Sequence, residues 1–225
     1  INWKEDSILY WYANEYVTLT ANTTTGISNT KIQWRESDSY PYSDASYSIT
    51  TGDTIELSKT VPGEDSSSVG RSALTYRITA VVEAGYRFKG WYNNANGTGD
   101  ALYTNEVYEI GHITADTTIW AIAEPLEYTV TLNANSGQFT SGSTTTITAT
   151  YKENMPALSD DKKPTRVGYT FAGFYDLASG GNKYYNADFT SARVWDKTES
   201  ATLYAHWTAK TTTITLTGIE DWTRD

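Results

Sequence analysis

Residues 85–92 read Gly-Tyr-Arg-Phe-Lys-Gly-Trp-Tyr, and residues 168–175 read Gly-Tyr-Thr-Phe-Ala-Gly-Phe-Tyr. A second matched pair lies downstream, with Thr-Ile-Trp-Ala at 118–121 and Thr-Leu-Tyr-Ala at 202–205. The members of these pairs are 83 and 84 residues apart, and such a shared spacing indicates a duplicated structural unit. The recurring signature consists of Gly85, Tyr86, Phe88, Gly90, Trp91, Gly168, Tyr169, Phe171, Gly173 and Phe174.

The composition of this 225-residue chain is typical of a globular β protein with room for two or three small domains. Aromatic residues make up 14% of it, and its 8 Trp and 18 Tyr stand among many Thr and Val residues, as in strands. Segments such as residues 128–134 alternate apolar and polar side chains, with turn signals between them. We therefore predict a mainly β fold.

Charge and cysteine content exclude several classes of function. A net charge of −10 argues against nucleic acid and anionic membranes as partners, because both need clustered Lys and Arg. The absence of Cys excludes disulfides, Cys-ligated zinc and thiol catalysis. No run of about twenty apolar residues is present, so we expect no membrane insertion. The chain starts without Met or a signal peptide, and we expect a monomeric segment of a longer protein.

The repeat divides the sequence into four predicted parts. Residues 1–73 hold the end of a preceding module and then either a degenerate β repeat or an immunoglobulin-like domain that lacks the usual two cysteines. Residues 74–126 and 127–209 are the two matched units, and residues 210–225 begin a further module or form a tail. The short junctions, one with Pro125 and one rich in Thr, predict that the modules stack end to end as a rod.

Three segments of the second unit occur in a fixed order: Tyr-Thr-Val-Thr-Leu-Asn-Ala-Asn-Ser-Gly at 128–137, Pro-Thr-Arg-Val-Gly-Tyr-Thr-Phe-Ala-Gly-Phe-Tyr at 164–175, and Thr-Leu-Tyr-Ala-His-Trp at 202–207. With this order and spacing, residues 127–209 resemble the Listeria–Bacteroides repeat, also called the internalin-type B-repeat. Residues 74–126 resemble a divergent version, through residues 78–92 and 115–120. Phe174 stands where the family most often has Trp.

The resemblance implies tandem small modules related to the β-grasp fold, found in secreted and wall-attached proteins of bacteria, many of them Gram-positive. Spacing, adhesion and host contact are the roles suggested for such modules. No enzymatic activity is characteristic of the family, and it has no catalytic residues to carry over to this sequence.

Chemistry-bearing residues are few. His112 and His206 are the only histidines, and no cysteine exists to pair with either of them. The sequence contains no phosphate-binding loop, zinc-protease motif, calcium loop or hydrolase elbow. We therefore predict no catalytic residues, no metal site, no cofactor and no hydrolase, transferase or redox activity.

Aromatic residues are the candidates for binding, because Trp and Tyr rings stack on sugars and dominate protein interfaces. A module of about 80 residues also needs such rings to fill its core, where burial of each contributes about 1.5–3 kcal/mol. We favour the core for the recurring rings. The weak binding candidates are Trp120, Trp195, Tyr103, Tyr184 and Tyr185.

From the sequence we expect a non-catalytic repeat segment of an extracellular bacterial protein, serving as a stalk or an adhesive region. The expected partner is a host or cell-wall protein or glycan. A carbohydrate-binding module with exposed Trp and Tyr, or an accessory domain of a larger exported enzyme, are the alternatives.

The signature also makes a local prediction. Strict alternation along residues 86–92 would send Phe88 inward and Trp91 outward, an odd place for a large apolar ring. A bulge adds one residue and reverses the facing of the residues after it, and glycine within a strand often marks one. We predict a bulge or sharp bend at Gly90 and at Gly173 that turns Trp91 and Phe174 into the core.

Overall fold

The computed structural model describes residues 16–35, 43–49, 54–58, 75–111 and 113–214. The chain forms two compact units, Ile1–Leu126 (unit 1) and Glu127–Asp225 (unit 2). The fold is mainly β, as predicted. Unit 1 contains the strands β1 (Tyr16–Thr23), β2 (Ile27–Arg35), β3 (Ser43–Ile49), β4 (Thr54–Ser58), β5 (Thr75–Val82), β6 (Tyr86–Tyr92), β7 (Val107–Gly111) and β8 (Thr117–Pro125). Unit 2 contains the strands β9 (Glu127–Asn133), β10 (Thr144–Thr150), β11 (Tyr169–Tyr175), β12 (Lys183–Tyr185) and β13 (Ala201–Ala209), with a 3-10 turn at Asp160–Lys162.

Unit 2 is built on one five-stranded sheet with the order β10-β9-β13-β11-β12. Its first and last strands, β9 and β13, are parallel neighbours, and the other pairs are antiparallel. One face of this sheet is buried. Its core consists of Val130, Leu132, Ala134, Phe139, Ala149, Met155, Leu158, Phe174, Tyr184, Tyr185, Trp195, Leu203 and Ala205.

Unit 1 contains a sheet of the same arrangement, with the order β4-β1-β8-β6. Here too the first strand, β1, lies parallel to the last strand, β8. Thr20 pairs with Thr118 in unit 1, and Thr131 pairs with Thr202 in unit 2. Since residues 118 and 202 are the matched positions of the sequence repeat, β1 takes the place of β9.

A side-chain hydrogen bond supports this correspondence. Thr24, four residues after Thr20, donates its hydroxyl to the Ala121 carbonyl at 2.8 Å. Asn135, four residues after Thr131, donates its side-chain amide to the Ala205 carbonyl at 2.9 Å. Both bonds join the end of the first strand to the same position of the last strand.

A second sheet, with the order β3-β2-β5-β7, completes unit 1. β5 alternates strictly, so that Tyr76, Ile78 and Ala80 are buried. These side chains pack in one cluster with residues of the first sheet. The buried cluster consists of Leu19, Ala21, Ile27, Ile32, Tyr76, Ile78, Ala80, Trp91, Ile113, Ile119 and Ala121.

The predicted bulges are confirmed in both units. Phe88 pairs with Ala123 but Gly90 pairs with the next residue back, Ile122, so one residue of β6 has no counterpart. The pairing of Phe171 with Trp207 and of Gly173 with His206 shows the same shift. The glycines have φ angles of 152° and 140°, a region that L side chains rarely adopt.

The bulges turn the next ring inward, as predicted. Trp91 and Phe174 are both 0% exposed. Each lies edge-on to the preceding phenylalanine of its strand, with ring centroids 5.6 Å apart for Phe88–Trp91 and 5.0 Å apart for Phe171–Phe174. In each unit, the bulge therefore places an aromatic ring in the core.

The predicted boundary between residues 73 and 74 falls within unit 1. Strands from both sides of that boundary share each of its sheets, because β1 and β4 lie in one sheet with β8 and β6, while β2 and β3 lie in the other with β5 and β7. The first sheet has the order of the repeat, and the second sheet is additional to it.

Candidate functional site

The recurring glycines and tyrosines shape the turns of the two units. Gly85 and Gly168 have φ angles of 88° and 77° and lead into the bulged strands. The ring of Tyr86 lies directly over Gly26, where a side chain would collide with it. Tyr169 is instead covered by the Arg166 guanidinium, 3.8 Å from its ring centroid. These signature residues determine chain path and packing.

Three of the five candidate binding rings lie in the core of unit 2. Tyr184 is 1% exposed, and Tyr185 and Trp195 are 0% exposed. Trp195 packs against Tyr184 with ring centroids 5.5 Å apart. Because stacking on a sugar or partner requires an accessible ring face, these three rings form no binding platform in this structure.

The other two candidates, both in unit 1, are accessible. Tyr103 is 40% exposed and stacks on Tyr108 with ring centroids 5.3 Å apart and an angle of 20° between the planes. Trp120 is half-buried on β8, opposite Tyr92 of β6 in the ladder. Tyr103 pairs with Trp91, and Trp120 lies on the other face of its strand from the buried Ile119 and Ala121, so the two rings belong to separate surfaces.

Burial and a short hydrogen bond hold Tyr184 in its neutral form. Its hydroxyl donates to Asp196 Oδ1 at 2.5 Å, and Arg193 forms an ion pair with Asp196 at 3.1 Å. Desolvation, and then the neighbouring Asp196 carboxylate, raises the pKa of Tyr184 far above its usual range. Burial likewise raises the pKa of Tyr185, whose hydroxyl donates to the Pro156 carbonyl at 2.8 Å. Neither phenol is activated as a nucleophile or acid, so both act as packing groups.

A polar cluster on unit 2 is also structural. Burial opposes ionisation of Asp176, but hydrogen bonds from the backbone and side chain of Asn182 and from Lys197 outweigh it and lower the pKa of the carboxyl. His206 Nε2 lies 2.9 Å from the Leu177 carbonyl, and its ring stacks on Tyr175 with centroids 4.0 Å apart. These contacts fix the loop between β11 and β12.

The remaining acidic side chains with shifted pKa values, and His206, make contacts typical of turns and packing. No three His, Asp or Glu side chains in the described part of the chain converge as metal ligands. At Asp161 and Asp188 the pKa is lowered by hydrogen bonds from Ser159 and Thr190, as expected of turns. His112 lies outside the described residues, and His206 makes its contacts to a carbonyl and a ring. Within the described ranges, no helix is long and apolar enough to cross a membrane.

Unit 1 also has an outward-facing groove that the sequence analysis did not predict. Its lining includes Val82, Tyr86, Phe88 and Val107. Periodicity could not reveal it, because it forms where the end of β5, the start of β6 and the segment before β7 meet. In the sequence, the groove is indicated by Val107, which stands where unit 2 has Phe189.

Comparison with known proteins identifies the repeat. The family described as the Listeria-Bacteroides repeat domain matches residues 49–122 and 128–206. The chain is 30% identical over 196 residues to internalin H of Listeria monocytogenes, covering 84% of this chain and 32% of that protein. It is 29% identical over 178 residues to a protein of Evansella cellulosilytica named "Putative Gly-rich membrane protein", covering 76% of this chain and 20% of that protein. The chain thus spans about a third or less of these relatives.

Proposed function

The chain belongs to the Listeria-Bacteroides repeat family, and on this premise we propose that it is a non-catalytic repeat segment of an extracellular bacterial surface or secreted protein, serving as a spacer or an adhesive region. Internalin H is the relative that supports the surface location. Because one fold can serve many functions, the residues that the two units share are more informative than the fold.

The positions of the residues that are repeated in the two units support this proposal. The repeated residues form the bulges and the core, as with Gly90 and Trp91 in unit 1 and Gly173 and Phe174 in unit 2. The candidate binding rings do not recur as a surface: Tyr103 is exposed, whereas Tyr185, which pairs at the matched position, is buried. A duplication that preserves a scaffold and changes its surface suits a spacer, with binding left to individual units.

A stalk requires an elongated particle in solution. Small-angle X-ray scattering from the 225-residue chain tests this part of the proposal. We expect a distance distribution with the long tail of a rod, and a compact symmetric distribution would contradict a stalk role.

An adhesive role requires a partner, and binding measurements test it separately. Exposed Tyr103 and half-buried Trp120 support the alternative of a glycan-binding module. On a glycan array, binding that is lost in Tyr103→Ala or Trp120→Ala would favour that alternative over a spacer. Absence of glycan binding together with an elongated particle would support the spacer. The accessory-domain alternative is tested by whether the full-length protein joins these repeats to a catalytic domain.

A further inference from the structure

Unit 1 has a groove lined by both apolar and polar side chains, at a place where unit 2 positions an aromatic ring of its own. The groove lies between the start of β6 and the segment preceding β7, and its apolar lining includes Val82, Tyr86, Phe88 and Val107. Phe88 is only partly buried there, and Val107 is 40% exposed.

The residue of unit 2 that corresponds to Val107 is Phe189. Tyr103 pairs with Trp91 and Tyr185 pairs with Phe174, so these tyrosines occupy the same place in the two repeats. Counting four residues onward from each leads to Val107 in unit 1 and to Phe189 in unit 2.

The contacts of Phe189 show which kind of side chain fits at this position of the sheet. Its ring stacks on Phe171, the counterpart of Phe88, with centroids 4.5 Å apart and planes 12° apart. Lys163 Nζ lies 5.5 Å from the centroid of Phe189, an arrangement of cation over ring that is itself favourable. Unit 2 thus places an aromatic ring next to a lysine against this position of the sheet.

The groove of unit 1 lacks that ring, and acidic side chains lie at its rim. Glu83 and Glu106 line it, and within the described part of the chain neither carboxylate makes an ion pair. Arg87, the cation in the lining, is paired with Glu124 at 2.8 Å. An arriving group would therefore meet an apolar floor and a negatively charged rim, which favours a cationic partner.

We propose that this groove binds a peptide segment of a protein partner that carries an aromatic side chain next to Lys or Arg. The aromatic ring stacks on Phe88 as Phe189 stacks on Phe171, and the cation meets Glu83 and Glu106. This interaction site goes beyond the proposed spacer role and does not depend on it, because the groove lies within a single unit.

An NMR titration of the 225-residue chain tests the proposal. The probe is a capped Gly-Lys-Phe-Lys-Gly peptide, compared with versions in which Phe is replaced by Ala or both Lys by Glu. We expect amide shifts confined to residues 82–88 and 104–107, with binding weakened by at least about tenfold for either altered peptide, a change worth roughly 1.4 kcal/mol.

Two variants of the chain locate the binding. Val107→Phe supplies the residue of unit 2, and we expect it to fill the groove and weaken peptide binding by about tenfold or more. Val81→Phe adds the same ring at an exposed position outside the groove and should leave binding unchanged. Glu106→Lys should also weaken binding without filling the groove, so it decides the matter if Val107→Phe does not fold.

Four results would overturn the proposal: no binding of the Lys-Phe-Lys peptide, equal binding of the peptide with Ala for Phe, unchanged affinity in both Val107→Phe and Glu106→Lys, or shifts that lie outside the groove. If chito-oligosaccharides shift the same amides and the peptide does not, the groove is a glycan site and the peptide proposal is wrong. None of these outcomes bears on the scattering test of the spacer role.

Discussion

The two units build the same bulged sheet and cover it with different material. In unit 2 the cover is irregular chain, which supplies Phe139, Met155, Leu158 and Trp195 to the core. In unit 1 the cover is a second sheet, whose β2 and β5 supply much of the buried cluster.

This difference separates what the repeat requires from what it tolerates. Both units have their first strand beside their last strand. Both also have a glycine at a bulge, where the register of the bulged strand shifts in the same way. The cover has only to be apolar and of suitable volume, because cores accept varied side chains if volume and pattern are kept. The sheet is therefore what the two units share, and the cover gives each unit its own surface.

Substitution of the bulge glycines should reduce stability more than any other change. A side chain at Gly173 would collide with the Tyr185 carbonyl oxygen, whereas at Gly90 the nearest atoms are Ala101 Cβ and the Tyr103 carbonyl oxygen, both 3.0 Å away. We expect Gly173→Val to lower the free energy of unfolding by more than about 3 kcal/mol, through strain and collision together. Gly90→Val should act in the same direction by less. Urea unfolding monitored by NMR signals of each unit measures both.

Gly99 provides the matched control for this prediction. Its φ is 78°, but no described residue lies within 4 Å of a side chain placed there, so Gly99→Val isolates the backbone strain. If Gly99→Val costs as much as Gly173→Val, close packing at the bulge is not the cause.

Exchange of the core rings tests whether the two cores are equivalent. Trp91 Nε1 is buried and has no hydrogen-bond partner among the described residues. Trp91→Phe therefore removes an unsatisfied group along with some packing, and we expect a loss below about 1.5 kcal/mol. Phe174→Trp places a larger ring in a filled core and should cost about 1–3 kcal/mol. Thermal unfolding of both variants checks this. Equal losses would show that the covers leave the same room over both bulges.

The hydrogen bond that joins first and last strands gives a smaller effect. Asn135 donates to the carbonyls of Ala205 and Ala178, and Thr24 donates to the carbonyl of Ala121. We expect Asn135→Ala to destabilise its unit by about 1–2 kcal/mol and Thr24→Ala by about 1 kcal/mol. Asn135 has a φ of 46°, so Asn135→Gly separates the hydrogen bonds from backbone strain. An Asn135→Gly variant that is more stable than the unaltered chain in denaturant titrations would contradict a stabilising role for these bonds.

A change to alkaline pH should have the smallest effect on the stability of unit 2. The folded state raises the pKa of Tyr184 from an ordinary value of 10.0, through burial and then Asp196, and burial raises that of Tyr185. Stability from these groups is fully present below about pH 10 and declines above it, because the unfolded chain then ionises while the folded chain does not.

Urea midpoints of unit 2 at about pH 9 and pH 11 measure this decline. Leu102 precedes Tyr103 where Tyr184 precedes Tyr185, so unit 1 has no phenol at the matched position of Tyr184. Tyr184→Phe should make unit 2 less sensitive to alkaline pH. An unchanged pH dependence in this variant would contradict the role of Tyr184.

The features that the sequence could predict are those imposed by the sheet. A large apolar ring exposed at the same place in both copies would be unusual, and glycine within a strand often marks a bulge. Together these two arguments predicted the bulges at Gly90 and Gly173, and both are confirmed. The role of β1 as first strand of unit 1 was harder to recognise. Thr24 and Ala121, whose hydrogen bond joins the end of β1 to β8, are 97 residues apart, and local pattern does not specify such distant pairing.

The candidate binding rings were less predictable, because the exposure of a ring depends on which part of the chain covers the sheet. Tyr103 and Tyr185 hold the same place in the ladder, yet one is 40% exposed and the other is buried. Composition could name both as possible binding rings but could not tell which cover would enclose them. The groove at Val107 depends on the same difference.

In this structure β1 is the first strand of a complete repeat in unit 1, in the same register as β9 in unit 2. Because the chain has no cysteine, paired cysteines test it directly. Thr20→Cys with Thr118→Cys and Thr131→Cys with Thr202→Cys place thiols at the matched parallel pairs, within the reach of a disulfide. We expect both pairs to oxidise to a similar extent while the out-of-register pair Thr18→Cys with Thr118→Cys lags behind. If the unit 2 pair cross-links and the Thr20–Thr118 pair stays reduced, β1 does not hold the place of β9 and unit 1 is not a complete repeat.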